Sequence, residues 1–377
     1  MTLVAIRRRL TPLAGSGVAA LLLVACGSDD PVGNAAATDT ESGIEQAAGG
    51  ELSGNIAGAG ASAQEAAAVA WIAGFQADNP DVTVTYDPIG SGGGRSQFLS
   101  GGVAFAGSDA VLDDEELAQS RDVCGPDGAI DLPLYISPIA VIYHLEGVDE
   151  QLRLSPETIA GIFNQEITNW NDPAIAETNE GVELPDLAIN PVNRSDESGT
   201  TENFTEYLAA AAGDAWPHEP SGDWPVPGGQ AAQGTSGVVQ TVTGGNGTIG
   251  YADASQAGDL GTVAVAVGDE FVPFSPEAAA AVVDASPLID GRPEHDLAFD
   301  LRRDTTESGT YPIVLVSYLI VCRHYDDAST GELVRAYVSH VASPEGQQAA
   351  ADAAGSAPIS DELRAQVSAA IDAISVG

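Results

Sequence analysis

Three short segments of the chain combine small residues with a hydroxyl side chain, and each precedes a helical pattern. They are Gly-Ala-Gly-Ala-Ser at 58–62, Gly-Ser-Gly-Gly-Gly at 90–94 and Ser-Gly-Thr at 198–200. The N-terminus of a helix offers unpaired backbone N–H groups and about half a positive charge, and glycine lets the backbone approach a bound group closely. One such segment alone is more typical of a simple capped turn. Three of them together favour the binding of an anion.

The third segment belongs to a charged cluster, Arg-Ser-Asp-Glu-Ser-Gly-Thr at 194–200. Arg194 carries a forked guanidinium that suits two-point contact with an oxyanion, and Asp196 is near enough in the sequence to orient it. Ser198 and Thr200 add hydroxyl donors at the start of a helical run. The same residues also fit an Arg–Asp pair that only caps a helix, so the cluster by itself leaves both interpretations open.

The sequence lacks the residue patterns of the common catalytic and metal sites. Its five histidines are scattered without an HExxH pair, and no Gly-x-Ser-x-Gly elbow is present. The glycine-rich segments do not end in Gly-Lys-Ser/Thr as a nucleotide-binding loop does, and the chain contains no lysine. We therefore predict no catalytic residue, no metal site and no cofactor, which disfavours a phosphatase or another hydrolase.

From residue 52 onward, short β-type runs alternate with alanine-rich helical runs. Strands are predicted at 52–56, 82–86 and 103–107, and helices at 64–76 and 96–100. Repeated strand–turn–helix units are typical of an α/β protein with a largely parallel sheet. The candidate anion-binding segments are the turns of these units.

Two runs, 132–143 and 311–321, are almost continuously apolar and longer than the other predicted strands. Between them lies a further α/β segment that includes 187–193 and 248–251. A domain inserted between two long crossing strands is what a hinged protein with two lobes requires. Periodicity does not exclude the alternative that both runs are merely central strands of one sheet.

The N-terminal residues have the pattern of an export signal. Arginines at 7–9 precede an apolar run at 13–24, which is shorter than the roughly 20 residues that span a bilayer. The run ends in Leu-Val-Ala-Cys at 23–26, which resembles the lipobox of bacterial lipoproteins and implies cleavage before a lipidated Cys26. An ordinary signal with a chance cysteine is the alternative. Residues 26–50 carry few apolar side chains and are predicted to form a disordered tether.

The charge of the chain limits the classes of binding partner, and its cysteines bear on the redox compartment. The chain has 55 acidic residues against 13 basic ones, a formal net charge of −42. This balance argues against nucleic acid and anionic membrane surfaces as partners, so membrane contact is expected through the lipid anchor only. If Cys26 is lipidated, Cys124 and Cys322 remain, and in an oxidising compartment they are candidates for a disulfide.

Several segments together resemble the ligand-binding motifs of the PstS family of phosphate-binding proteins, in the family's order. The resemblance runs from about residue 52 to the C-terminus. It implies a type II periplasmic-binding-protein fold, in which two α/β lobes are joined by a two-strand hinge. The implied organisation is a signal peptide at 1–25, a tether at 26–50, lobe I from 51–135 and 311–377, and lobe II at 136–310. The matching stretches are Ala-Ser at 61–62, Ile-Gly-Ser-Gly-Gly at 89–93, Gly-Ser-Asp-Ala at 107–110, the cluster at 194–200, Ile-Thr-Asn-Trp-Asn-Asp-Pro at 167–173 and Gly-Thr-Ile-Gly-Tyr at 247–251.

The resemblance also implies a role for each site residue. Hydroxyl donors would be Ser62, Ser91, Ser198 and Thr200; amide donors would be Ala63, Gly199 and Thr200; Arg194 would supply charge, Asp196 would hold Arg194, and Asp109 would accept the proton of phosphate. Glu197 departs from the family, which often has glycine at this position. A carboxylate there either faces the anion and weakens binding or points to solvent, and we expect the second.

The function implied is high-affinity, extracytoplasmic binding of inorganic phosphate and its delivery to the membrane permease of an ABC importer. A monomeric lipoprotein on the cell membrane is expected. One alternative is a binding protein for another oxyanion, such as sulfate, molybdate or arsenate. The other is a surface adhesin or sensor built on the same fold.

Overall fold

The structure is a computed structural model that describes residues 52–377. The predicted signal peptide, Cys26 and the tether lie outside these residues. The strands, in chain order, are β1 Gly54–Gly60, β2 Val82–Asp87, β3 Phe105–Ser108, β4 Ala129–His144, β5 Leu152–Leu154, β6 Asn190–Arg194, β7 Gln230–Ala232, β8 Thr248–Asp253, β9 Gly261–Val267, β10 Glu270–Val272, β11 Val314–Cys322, β12 His324–Tyr325 and β13 Ser375–Val376. The helices are α1 Glu65–Asp78, α2 Ser91–Leu99, α3 Asp114–Cys124, α4 Pro156–Phe163, α5 Pro173–Ala176, α6 Gly199–Ala211, α7 Gly234–Gly244, α8 Pro276–Asp284, α9 Ala328–Ala342, α10 Pro344–Ala354 and α11 Asp361–Asp372.

Eleven strands form one mixed sheet in the order β2-β1-β3-β11-β4-β8-β6-β7, with β9 attached to β4 and with β5 and β10 attached to β9. The two outer parts are parallel, since β1 runs parallel to β2 and β3, and β6 runs parallel to β7 and β8. The centre is antiparallel, because β11 runs against both β3 and β4, and β4 runs against β8. The predicted α/β architecture is confirmed, while the sheet is parallel only on either side of its two long strands.

Strand β4 is the backbone connection between the two parts of the sheet. Its first part pairs with β11 as far as Pro138, and from Ile139 onward it pairs with β8. The apolar runs predicted from the sequence lie in β4 and β11, and both strands are buried almost throughout. We call the side built on β1, β2, β3 and β11 lobe I, and the side built on β6, β7 and β8 lobe II. The residue boundaries of the lobes stay a prediction.

Two helices begin earlier than the sequence suggested, and both errors fall in the candidate anion-binding segments. We expected a helix at 96–100, but α2 begins at Ser91. Glycine and serine are weak helix formers, so propensity alone places the start too late. A methyl group on Gly94 would lie 2.4 Å from Gly60 Cα, so the first turn of α2 is built from small residues because it packs directly on β1. Helix α6 likewise starts at Gly199, whereas the sequence pattern predicts a helical run at 202–211.

A disulfide joins Cys124, at the end of α3, to Cys322, at the end of β11, with Cα atoms 5.0 Å apart. Both residues belong to lobe I, so the bond does not tie one lobe to the other. Among residues 52–377, no helix has the length and apolar character needed to cross a membrane.

Candidate functional site

The starts of four helices meet in the cleft between the lobes. At the start of α2, Ser91 Oγ accepts a hydrogen bond from Asp109 N at 3.1 Å, just after β3. From α6, Thr200 Oγ1 donates to Asp109 Oδ2 at 2.8 Å. In front of α1, Ser62 Oγ lies 3.0 Å from Thr235 Oγ1, which belongs to the first turn of α7. The nine residues predicted to bind phosphate therefore lie in, or directly beside, one interlobe cleft.

Arg194 ends β6 and is almost completely buried. Its Nε and Nη2 donate to the two carboxylate oxygens of Asp196 at 2.9 and 2.5 Å, and Gly234 N donates to the same carboxylate at 3.0 Å. Although burial acts to raise the pKa of Asp196, the hydrogen bond and charge of Arg194 hold that pKa below its usual value. Arg194 is thus fixed in one orientation, and its Nη1 hydrogens are not taken by Asp196.

The backbone around this ion pair is shaped to let the two lobes approach. Gly90, which precedes α2, has a φ of +98°, a conformation that favours glycine. A methyl group at Gly90 would lie 2.6 Å from Asp196 Oδ2. Residue 90 therefore needs to be glycine both for its conformation and for the contact between α2 of lobe I and the Arg194–Asp196 pair of lobe II.

Asp109 is the one acidic residue predicted to contact the anion. Its side chain is buried, and within residues 52–377 its Oδ1 atom has no hydrogen-bond partner. Burial raises the pKa of Asp109, while the nearby Ser317 hydroxyl, which is likewise without a hydrogen-bond partner among residues 52–377, the hydrogen bond from Thr200 and the charge of Arg194 act against this rise. A buried acceptor without a donor costs about 1–3 kcal/mol, and a ligand with a hydroxyl hydrogen could supply the missing donor.

Three hydroxyl oxygens of the predicted set accept from backbone amides, and Ser62 Oγ also shares a hydrogen bond of 3.0 Å with Thr235 Oγ1. Ser91 Oγ accepts from Asp109 N at 3.1 Å, Ser62 Oγ from Thr235 N at 3.0 Å, and Ser198 Oγ from Thr201 N at 3.2 Å. Thr200 differs from the expectation, since its hydroxyl donates to Asp109. The backbone amide of Thr200, in the first turn of α6, remains as its candidate donor.

The two remaining predicted residues, Ala63 and Gly199, were expected to bind through their backbone amides. Ala63 is fully buried beside Ser62, in the turn before α1. Gly199 is the first residue of α6, and a methyl group there would lie 2.7 Å from Ala110 N and 2.8 Å from the Asp109 carbonyl carbon. Glycine at 199 therefore allows the N-terminus of a lobe II helix to touch lobe I.

The prediction for Glu197 is wrong. Its side chain does not point freely to solvent as we expected. Its Oε1 atom instead lies 3.1 Å from Arg95 Nη2. Arg95 belongs to α2 of lobe I and was not singled out from the sequence. The error arose because Glu197 was considered only against its own helix, whereas its partner is 102 residues away in the chain.

Two further residues of the cleft were missed. Thr235 follows Gly234 in the sequence Gly-Thr-Ser-Gly at 234–237, which has the same small-residue and hydroxyl pattern before a helix as the other segments. Asn203 of α6 donates to the backbone oxygens of Asp109 and Gly199 at 2.6 and 2.8 Å. The pattern at 234–237 was sufficient to find Thr235, whereas no local signal marks Asn203.

An aromatic group in lobe II supports the site from behind. The rings of Phe204 and Tyr251 stack with centroids 4.4 Å apart. The Tyr251 hydroxyl lies 2.8 Å from Thr201 Oγ1 and accepts from Arg194 N at 3.4 Å. The β6 end and the α6 start, which carry the Arg194 cluster, are therefore fixed to the core of lobe II.

The site as a whole is suited to binding an oxyanion. It offers oriented amides, hydroxyl donors and one guanidinium, and such groups bind anions at helix N-termini. No group of three or more histidine, cysteine or acidic side chains suited to a metal ion occurs among residues 52–377.

Comparison with known proteins agrees with this geometry. A PBP superfamily domain model matches residues 45–345. The chain is 34% identical, over 94% of its length, to phosphate-binding protein PstS 3 of Mycobacterium tuberculosis, of which it covers 95%. PstS 2 of the same organism is also 34% identical over the same shares of the two chains.

Solved structures show the same fold. A high affinity periplasmic phosphate-binding protein bound with phosphate has a TM-score of 0.68 and 23% identity, over 84% of this chain and 93% of that chain. A phosphate-binding protein from Stenotrophomonas maltophilia has a TM-score of 0.64 and 21% identity, over 84% and 93% of the two chains. The type II fold with two α/β lobes is thereby confirmed. The chain belongs to the PBP superfamily and, within it, to the PstS family of phosphate-binding proteins.

Proposed function

We propose that this protein captures inorganic phosphate outside the cytoplasm and delivers it to the membrane permease of an ABC importer. The names of its relatives and the donors that converge in the interlobe cleft support this proposal. A solute-binding role is favoured over catalysis because the donors surround a space for an anion without a nucleophile and base beside it.

The observation that carries the choice of phosphate is the buried Asp109 carboxylate in a site otherwise made of donors. A carboxylate repels an anion unless that anion brings a proton to share. Phosphate carries a proton near neutral pH and sulfate does not. A site built around one substrate hydrogen bond rejects analogues that lack it by roughly 10⁴–10⁵, so Asp109 is the residue that excludes sulfate.

The strong negative charge of the protein does not prevent phosphate binding. The formal net charge is −42, but interactions between exposed charges are screened beyond about 8–10 Å in physiological salt. Arg194 and the helix starts act at hydrogen-bonding distance inside a buried cleft. Short-range donors therefore outweigh the distant acidic surface.

Attachment and closure complete the proposal. Cys26 is the site of a lipid anchor, and residues 26–50 tether a monomeric binding domain to the outer face of the cell membrane. Stable anchoring takes two acyl chains, which a diacylglycerol on Cys26 supplies. The lobes close over phosphate by bending of β4 and β11, and the closed form is presented to the permease.

The test is calorimetric titration of full-length protein, first stripped of ligand, with phosphate and then sulfate. We expect micromolar or tighter phosphate binding at one site and no heat from sulfate. Binding of both anions would keep the site but remove the specificity assigned to Asp109. No heat from either anion would contradict the proposed function.

A further inference from the structure

We propose that Glu197 is a positioning residue that strengthens phosphate binding, because its ion pair with Arg95 holds the two lobes together. This inference rests on the proposed function. It runs against the simple electrostatic expectation, in which removal of a carboxylate near an anion site tightens the binding of the anion.

Two hydrogen-bond partners in lobe I fix the Arg95 side chain. Its Nε donates to Glu116 Oε1 at 2.8 Å and its Nη1 donates to Ser108 Oγ at 3.1 Å. Both partners belong to lobe I, and the Arg95 side chain is only 10% exposed. The Nη2 group is left for lobe II, where Glu197 Oε1 accepts from it at 3.1 Å. Because two partners in its own lobe already order Arg95, the pair costs little additional ordering when it forms.

The carboxylate of Glu197 lies in a space lined by glycine from both lobes. A methyl group at Gly92, in the first turn of α2, would lie 1.4 Å from Glu197 Oε2. A methyl group at Gly222, in lobe II, would lie 2.4 Å from Oε1. Only small residues at 92 and 222 leave room for the carboxylate, so the interlobe contact depends on the shape of the cleft as well as on charge.

The ion pair acts on affinity through the closed state. The apparent dissociation constant equals the intrinsic one divided by the fraction of protein in the binding-competent form. An interlobe bond that does not involve the ligand raises that fraction and slows opening. Arg95, which also pairs with Glu116, offsets part of the Glu197 charge, and we expect the remaining repulsion of phosphate to be small compared with the effect of Glu197 on closure.

The experiment compares Glu197→Gln with the matched control Glu116→Gln in full-length protein. Each variant removes one acidic partner of Arg95, but only Glu197 belongs to the other lobe. We expect Glu197→Gln to weaken phosphate binding by about 5- to 50-fold, mainly through faster dissociation. Glu116→Gln should change the dissociation constant by less than about twofold.

Gly222→Ala is a second variant, which keeps the Glu197 charge but displaces its carboxylate from Arg95. It should weaken phosphate binding in the same direction as Glu197→Gln. Tighter or unchanged binding by Glu197→Gln, or equal losses in Glu197→Gln and Glu116→Gln, would overturn the inference while wild-type binding leaves the proposed function intact. Absence of phosphate binding by the wild type would instead overturn the proposed function, and this inference with it.

Discussion

Arg194 and Arg292, whose side chains are 2% and 9% exposed, both pair with carboxylates, with opposite consequences. In the cleft, Arg194 serves one carboxylate, that of Asp196, whose pKa lies below its usual value. Away from the cleft, Arg292 serves two: its Nη2 lies 2.6 Å from Asp131 Oδ2 and 2.9 Å from Asp296 Oδ2. Burial, and then the charge of Asp296, raise the pKa of Asp131 well above its usual value, against the effect of Arg292.

The difference is one of stoichiometry and position. One arginine against one carboxylate leaves a neutral pair with guanidinium hydrogens to spare, which suits an anion site. Arg292 instead shares its charge between two carboxylates; its Nη1 donates to Leu112 O at 2.6 Å, and its Nε has no hydrogen-bond partner among residues 52–377. With Asp131 N donating to Asp296 Oδ1 at 3.1 Å, this group fastens the segment after α8 to β4. The same types of side chain thus line the candidate binding site in one place and hold two segments of the chain together in the other.

The comparison is tested most strongly by removing the guanidinium of the cleft. Arg194→Met leaves Asp196 unpaired beside the incoming anion. Loss of one member of a buried ion pair at a binding site costs about 2–5 kcal/mol, so we expect phosphate binding to weaken by about 30- to 5,000-fold. Calorimetric titration checks this, and a loss of less than about tenfold would remove Arg194 from the centre of the site.

Removing the other arginine should give the reverse result. Arg292→Met leaves two buried carboxylates without a cation, and the free energy of unfolding should fall by about 3–5 kcal/mol. The phosphate dissociation constant of the folded variant should stay within about twofold of the wild type, because the Arg292 ion pairs are separate from the residues of the cleft. Denaturant unfolding and calorimetry measure the two quantities. An affinity loss as large as that of Arg194→Met would break the comparison.

The next prediction concerns Asp109, the carboxylate of the cleft that was predicted to face the ligand. Asp109→Asn replaces an acceptor with a group that can also donate, so sulfate affinity relative to phosphate should rise by about tenfold or more. Burial raises the pKa of Asp109, so lowering the pH towards that pKa protonates the carboxylate and should shift the wild-type ratio in the same direction. A ratio unaffected by both changes would remove Asp109 as the discriminating residue.

The smallest expected effect concerns Glu202 on α6. Burial, and then the charge of Glu206, raise the pKa of Glu202 to about 7, with Arg95 acting in the opposite direction. A carboxylate with a raised pKa binds its proton more readily when folded, so it destabilises the protein above that pKa and ceases to do so as the pH falls. Glu202→Gln should therefore raise the unfolding temperature of ligand-free protein by about 1–2 °C at pH 8 and change it little at pH 5. An equal rise at both pH values would point to packing instead of charge.

What the sequence could reveal depended on how local each signal was. The Arg194–Thr200 cluster and the serines at 62 and 91 were found because the start of a helix has a signature within a few residues. The long apolar runs revealed β4 and β11, but not that the two strands are antiparallel, which is set by pairing across the sheet. The Arg95–Glu197 pair was beyond reach, since it joins residues 102 positions apart and exists only where the lobes meet.

The most direct test of the account is a crystal structure of the protein grown with phosphate. We expect one phosphate in the interlobe cleft, with an oxygen within hydrogen-bonding distance of Arg194 and its protonated oxygen facing Asp109 Oδ1, the buried acceptor that finds no partner among residues 52–377. Phosphate bound elsewhere, or bound in the cleft with Asp109 turned away from it, would contradict the account.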